Sequence, residues 1–400
     1  MDFRRGGTTV RIMKALWACC LSLCLVSAAA GEDAAEAYNR FGFELLGQCR
    51  KTLAATNFFL SPAGVVFALS MVQNGAGGET LRQIQAMLHT EEIPVAEVNE
   101  ANKVLLSHLS NLDPKIKLEI ANSIWTDQRA EIRPGFIAAN RRWYNAEAAS
   151  ADFQDPTTVK KINEWVSDHT HGKIPEMVRA PLDPMLRLIL LDAIYFKGDW
   201  LAPFETNLTR ELPFRLASGA TVAHPRMKHS GKFEYYEGED VQAVELPYAG
   251  RDISMYVFLP KGRLDGLPAV LRAETFDQWI GRMQSRQGTV ELPRFKLENE
   301  YDLKNVLGSL GMRAAFTKEA DLSGISDEAL CIDWVKQKTY LEVNEQGTVA
   351  AAVTGVGVRA MAMRAPEAPF EMVVDRPFLL AIREKQTGLI LFVGAIFDPR

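Results

Sequence analysis

The sequence predicts a single mixed α/β domain, of the α+β kind, behind a removable leader. Apolar residues recur at helical spacing in some segments, such as Ala37, Phe41, Leu45 and Leu46. In others they alternate, as Ile116, Leu118 and Ile120 do, or run on almost without interruption, as from Leu188 to Phe196. No tandem repeat, low-complexity tract or linker-like stretch divides residues 31–400, so one large domain is expected rather than two. With 47% apolar and 24% charged residues the chain has ample material for a core and an ordinary soluble surface. A net charge of −5 gives no reason to expect nucleic acid or an anionic membrane as a partner.

Arg4, Arg5, Arg11 and Lys14 precede an apolar stretch from Ala15 to Val26, and Ala28-Ala29-Ala30 supplies small residues for cleavage. Residues 1–30 therefore read as a signal peptide, and the mature protein as secreted, into the extracellular space or into the periplasm of a bacterial host. A retained anchor is the alternative, disfavoured because the apolar stretch is short for a bilayer. Cys19, Cys20 and Cys24 leave with the leader. Cys49 and Cys331 remain, without disulfide-framework or metal spacing, and are expected as two separate buried thiols.

From Asp33 to Lys51 the apolar spacing predicts an amphipathic helix. Asn57-Phe58-Phe59-Leu60-Ser61-Pro62 reads as a short strand that turns into a second helix, with proline at the first helical position. Helical material is expected to continue through Gly75–Thr80 to Leu88. Residues 115–125 predict a half-buried strand that becomes central toward Trp125. The helix around Ile162–Val166 should end at Thr170-His171-Gly172-Lys173-Ile174, with Gly172 as its cap. Leu188–Trp200 reads as a strand buried on both faces. In the stretch Glu342–Arg364, no charge occurs between Glu345 and Arg359. Thr348, Ala350, Ala352, Thr354, Val356 and Val358 share one strand face that is small or β-branched. An ordinary edge strand or surface loop is the alternative there.

Glu345-Gln346-Gly347-Thr348, followed by Ala350, Ala351 and Ala352, resembles the hinge of the reactive-centre loop of serpins. Other segments match that family in order: Asn57 to Pro62, Gly75 to Thr80, Thr170 to Ile174, Leu188 to Trp200, Val244 to Tyr248, Leu292 to Phe295, Ala320 to Ile325 and Asp375 to Phe378. The resemblance spans residues 33–400. It implies the serpin fold, three β-sheets with about nine helices and an exposed reactive-centre loop at about 345–370. It also implies suicide inhibition of a serine protease. The enzyme acylates itself on the loop, and the cut loop then enters the main sheet and traps it.

The family's spacing from the hinge glutamate, carried over from Glu345, lands on Met361, with Ala362 after the bond. Met361 implies an elastase-, chymotrypsin- or subtilisin-like target with an apolar primary pocket. The chain from there to Pro377 is longer than in many relatives, so Met363 or Arg364 remain open as the cut residue, Arg364 implying a trypsin-like target. Arg359 is a further option that would shorten the inserting strand. A non-inhibitory binding protein or chaperone is the rival reading. Its usual mark is charged, proline-containing or bulky hinge residues, and Thr348 to Thr354 shows none.

Nothing else in the sequence supplies enzyme chemistry. It has no Gly-x-Ser-x-Gly elbow, no His-Glu-x-x-His motif and no phosphate loop, and its six histidines lack ligand spacing. We therefore expect no enzyme activity, metal or cofactor, and a monomer whose partner is a protease held covalently. Lys and Arg do not cluster between residues 81 and 120, so no heparin site is expected. Asn207-Leu208-Thr209 is a glycosylation acceptor only in a host that modifies such sites.

The chain also departs from the family pattern. Where relatives link Ser, Asn and His at the centre of the main sheet, this sequence keeps Ser61 but has Gly64 for a second serine, Asp192 for Asn and Gln337 for His. We read Asp192, Gln337 and Ser61 as a rewired network controlling sheet opening, with Gln337 and Ser61 as donors to the buried carboxylate. Independent drift, with Asp192 protonated or hydrated, is the alternative.

Overall fold

The computed structural model describes residues 32–51, 56–262, 272–348 and 368–400. The helix over 32–51 (α1) leads to β1 (Phe58–Leu60) and α2 (Pro62–Gln73). Ser61 caps α2 by accepting from the Gly64 N–H at 3.1 Å, and Pro62 occupies the first turn, where its missing N–H costs nothing. All twelve residues of α2 are buried. The helix stops at Gln73, and the chain turns before α3 (Gly78–Met87), so the expected helical run to Leu88 is broken. Within the break the chain packs closely on Asp321: Gly77 N–H donates to Asp321 O at 3.0 Å, and a Cβ on Gly77 would lie 2.9 Å from Asp321 Cγ.

One sheet has six strands in the order β10 (Phe295–Asp302), β11 (Trp334–Asn344), β12 (Gly347–Thr348), β4 (Leu188–Asp199), β2 (Ile116–Asp127) and β3 (Glu147–Ala151). The other has nine. Its path runs β1, β15 (Ile390–Ile396), β14 (Phe378–Glu384), β8 (Ile253–Pro260), β7 (Val241–Pro247), β6 (Thr221–Glu237), β9 (Gln284–Pro293) and β13 (Phe370–Val373), with β5 (Arg210–Arg215) also on β6. The seventeen-residue β6 joins two lobes, since it pairs with β7 only through Tyr235–Glu237 and with β9 along Arg226–Tyr235. Counted as lobes, these make the three sheets the resemblance implies. Eight α-helices lie among the described residues.

The packing around β4 explains its continuous apolar run. Leu190, Ile194 and Phe196 enter the main core, in which α2 lies between β15 of one sheet and β4 and β2 of the other. Ile189, Leu191 and Ala193 face the opposite way, into a second cluster with Ile162 and Val166 of the helix Pro156–His169. A strand covered on both faces needs no polar alternation. Gly172 follows that helix at φ +73°, and its N–H donates back to Ser167 O at 2.9 Å. Cys49 is buried and Cys331 only half-buried, and both are free thiols.

Candidate functional site

β4 and β11 are parallel neighbours over seven residue pairs, from Ile189 and Trp334 to Tyr195 and Tyr340. Beyond those tyrosines the strands part, and β12 occupies the mouth of the gap. Thr348 pairs with Val343 of β11 and with Gly198 of β4, antiparallel to both. Chain reversal at Asn344–Gly347 produces this arrangement. Asn344 Oδ1 accepts from the Gln346 N–H at 3.0 Å, and a Cβ on Gly347 would lie 2.6 Å from Asp199 Cα. Only glycine lets the chain pass that close to β4.

The carbonyls of Asn344, Glu345 and Gln346 find donors on the segment after β4. The Trp200 indole donates to Asn344 O at 3.0 Å, the Phe204 N–H to Glu345 O at 2.7 Å and the Trp200 N–H to Gln346 O at 2.8 Å. Thr348 is fully buried, with Oγ1 2.8 Å from the hydroxyl of Tyr248, whose ring stacks on Trp200. Arg294 Nε donates to both oxygens of Glu345, at 2.7 and 2.9 Å, and Thr209 donates to Oε1 at 2.5 Å. Burial opposes the charge of Glu345, but these bonds outweigh it and hold the carboxyl below the usual range. Thr209 is the last residue of the glycosylation pattern, and Asn207 itself is exposed.

Farther down the same ladder, Asp192 and Gln337 are directly paired. Gln337 Nε2 donates to Asp192 Oδ2 at 2.6 Å and to Ser61 O at 2.8 Å, while Ser61 N–H donates to Gln337 Oε1 at 3.0 Å. One amide thereby ties β4, β11 and the start of α2 together. The expected donation from the Ser61 hydroxyl to Asp192 does not occur. That hydroxyl donates to Leu391 O at 2.8 Å and caps α2, so Ser61 joins the network through its backbone. A Cβ on Gly64 would sit 2.5 Å from Asp192 Oδ1 and 2.8 Å from Cγ, so the glycine leaves the volume the carboxyl fills. Burial pushes the Asp192 carboxyl up to about 7, against the bond from Gln337.

Sequence reasoning missed Asn122 of β2, which opposes Asp192 from the other side, and Arg294 and Thr209 at Glu345. Asn122 is one of four buried polar residues in the second half of β2, with Ser123, Thr126 and Asp127, so no sequence signal singled it out. Residues 349–367, including Ala350, Ala351, Ala352, Arg359, Met361, Ala362, Met363 and Arg364, lie outside the described residues.

Two variants test these contacts. Arg294→Ala takes the Nε and Nη2 donors away from the Glu345 carboxylate and leaves the Thr209 hydroxyl in place. Urea unfolding should show a loss of about 1.5–3 kcal/mol, toward the lower end because the guanidinium is partly exposed. Gly64→Ala should cost about 1–3 kcal/mol through overpacking, and combining it with Asp192→Ala should cost less than the sum of the two single changes by about 0.5 kcal/mol or more. Strict additivity would mean that Gly64 and Asp192 are independent.

A family model described as serpin (serine protease inhibitor) matches residues 36–399. The leukocyte elastase inhibitor of Bos taurus is 36% identical over 382 residues, spanning 92% of this chain and 100% of that protein. Serpin48 of the insect Tenebrio molitor superposes with a TM-score of 0.82 at 31% identity, over 92% of this chain and 98% of that one. Human thyroxine-binding globulin in complex with its hormone superposes at 0.85 with 25% identity, over 92% and 99%.

Proposed function

The chain belongs to the serpin family, and from that premise we propose that it is a suicide inhibitor of serine proteases. The observation that supports this most is the seat of Gly347 and Thr348 between two strands that are paired with each other only farther down. Six residues beyond Thr348, the same register brings Thr354 opposite both Asp192, six before Gly198, and Gln337, six before Val343. The two registers agree independently, since Asp192 and Gln337 are already partners. Continued insertion would lay Ala350, Ala352 and Thr354 on the inward face beside Thr348, where small side chains enter without overpacking. Val349, where the family resemblance implies Glu, and Val353, where it implies Ala, Gly, Ser or Thr, fall on the outward face by the same parity.

The protease serine attacks the loop carbonyl and forms an acyl-enzyme, releasing the new amine end of the loop. Insertion then gives each added residue backbone bonds worth about 1 kcal/mol net, and carries the acylated enzyme with it. Met361-Ala362 is the proposed bait bond, with elastase-, chymotrypsin- or subtilisin-like targets. Arg364 and a trypsin-like target form the second choice. Thyroxine-binding globulin makes the carrier reading worth testing, but the small, uncharged hinge favours inhibition. The protein is proposed to act outside the cell or in a periplasm, as a monomer.

Mixing the protein with elastase, chymotrypsin, trypsin and a subtilisin should give a complex that survives denaturing gels and a released fragment beginning at Ala362. The same mass spectra should place the mature N-terminus near Gly31. A fragment beginning at Ala365 would move the target to trypsin-like enzymes. Cleavage without complex, and without a gain in thermal stability, would exclude the inhibitory reading. The register makes a sharper statement. Thr354→Arg puts a charge between Asp192 and Gln337 and should convert the protein into a substrate, cut but not trapping, whereas Val349→Glu, which the register sets outward beside half-buried Lys197 and Glu342, should leave complex formation nearly unchanged.

A further inference from the structure

The centre of the β4–β11 ladder lacks one proton that its geometry demands. Asp192 Oδ1 and Asn122 Oδ1 are both buried without a hydrogen-bond partner. The two residues are directly opposed in the β2–β4 register, which places such side chains within mutual reach. Each atom is an acceptor, so an ionised Asp192 would leave both unsatisfied in a dry interior. The remaining groups are already committed. Asn122 Nδ2 donates to Gly64 O at 3.2 Å, Gln337 Nε2 donates to Asp192 Oδ2, and the backbone of Gly64 closes over the carboxyl.

We propose that Asp192 is held as a neutral carboxylic acid whose O–H donates to Asn122 Oδ1, and that this proton latches the β4–β11 ladder shut. One hydrogen satisfies both orphan acceptors and makes a continuous row: Asn122 of β2, Asp192 of β4, Gln337 of β11 and the Ser61 backbone at the head of α2. No charged group faces the acid from these elements. Asn122 and Gln337 are neutral, α2 contains no titratable residue, and on β11 Lys336 and Lys338 turn to the outer face, toward Glu300 and Glu176 O. Ionisation is thus resisted by burial alone, with no cation to offset it.

The sign follows from linkage. An acid whose pKa is raised in the closed sheet binds a proton that the solvated, open form would release. The latch is at full strength below the ordinary aspartate range, weakens as pH rises toward 7, and is spent above it. Opening of the ladder is then favoured at neutral and alkaline pH. Its consequence for protease trapping rests on the insertion reading above, but the protonation itself does not.

Infrared difference spectra and hydrogen exchange on the intact protein test the latch. Wild type should show a protonated-carboxyl stretch near pH 6 that disappears through about 7. Asp192→Asn, which keeps a donor toward Asn122 and an acceptor toward Gln337, should fold and lack that band. Exchange of the β4 and β11 amides, taken as a ratio to those of β14, should rise by up to about tenfold per pH unit below 7 and then level off. In Asp192→Asn the ratio should be flat. Asn122→Ala, which removes the acceptor of the proton, should move the loss of the band to lower pH. No carboxyl band near pH 6, a pH-dependent ratio that survives in Asp192→Asn, or an unmoved band in Asn122→Ala would each overturn the proposal. None of these readouts needs a protease, so a protein that forms no protease complexes but shows the band and the slope would refute insertion and leave the latch standing.

Discussion

The parallel ladder between β4 and β11 is the interaction on which the rest of the molecule depends. The two strands lie far apart in sequence, so no hairpin holds them, and their pairing rests on the ladder, on Gln337 and on what packs above and below. Parallel pairing is slightly weaker per residue than antiparallel pairing. A strand that entered between them from β12 would exchange one parallel interface for two antiparallel ones. The proposed insertion therefore has a backbone drive that follows from strand direction alone, before any side chain is counted.

Both faces of that ladder are covered, and the two covers differ in kind. Below it α2 is buried on every side, fixed at its head by Ser61 and tied to β11 through the Gln337 amide. Above it the helix Pro156–His169 touches the sheet through a stripe containing Ile162 and Val166 and is otherwise polar. An amphipathic helix resting on a sheet can shift without exposing a core, whereas α2 cannot. Any widening of the ladder is thus more easily accommodated on the outer face.

What the sequence made legible was local or periodic. The continuous apolar run of β4, the Ser61-Pro62 helix start, Gly172 and the Gly347 pivot all follow from residue type and near neighbours. The departures at Gly64, Asp192 and Gln337 stood out against the Ser, Asn and His of the family pattern, and Asp192 also as the one carboxylate in the apolar run from Leu188 to Phe196. The structure shows why they belong together, since a side chain at residue 64 would collide with the Asp192 carboxyl. The contacts that were not legible are long-range. Arg294 and Thr209 reach Glu345 from connections distant in sequence, Asn122 meets Asp192 only through sheet register, and the union of two sheet lobes depends on where one long strand changes partners. Periodicity carries no information about which strands become neighbours.

The two carboxyl groups along this ladder show how burial and partners together decide charge. At the mouth, Glu345 is buried but faces a guanidinium and a hydroxyl, and it stays ionised. At the centre, Asp192 is buried among neutral groups, with one amide donor and one orphan oxygen. Acid therefore weakens the hinge end as Glu345 gains a proton, while alkali weakens the central row as Asp192 loses one. Stability of the closed sheet is bounded from both sides by one group at the reversal after β11 and one on β4. The closed form is best supported in the interval between those two titrations, where the hinge is charged and the centre is not.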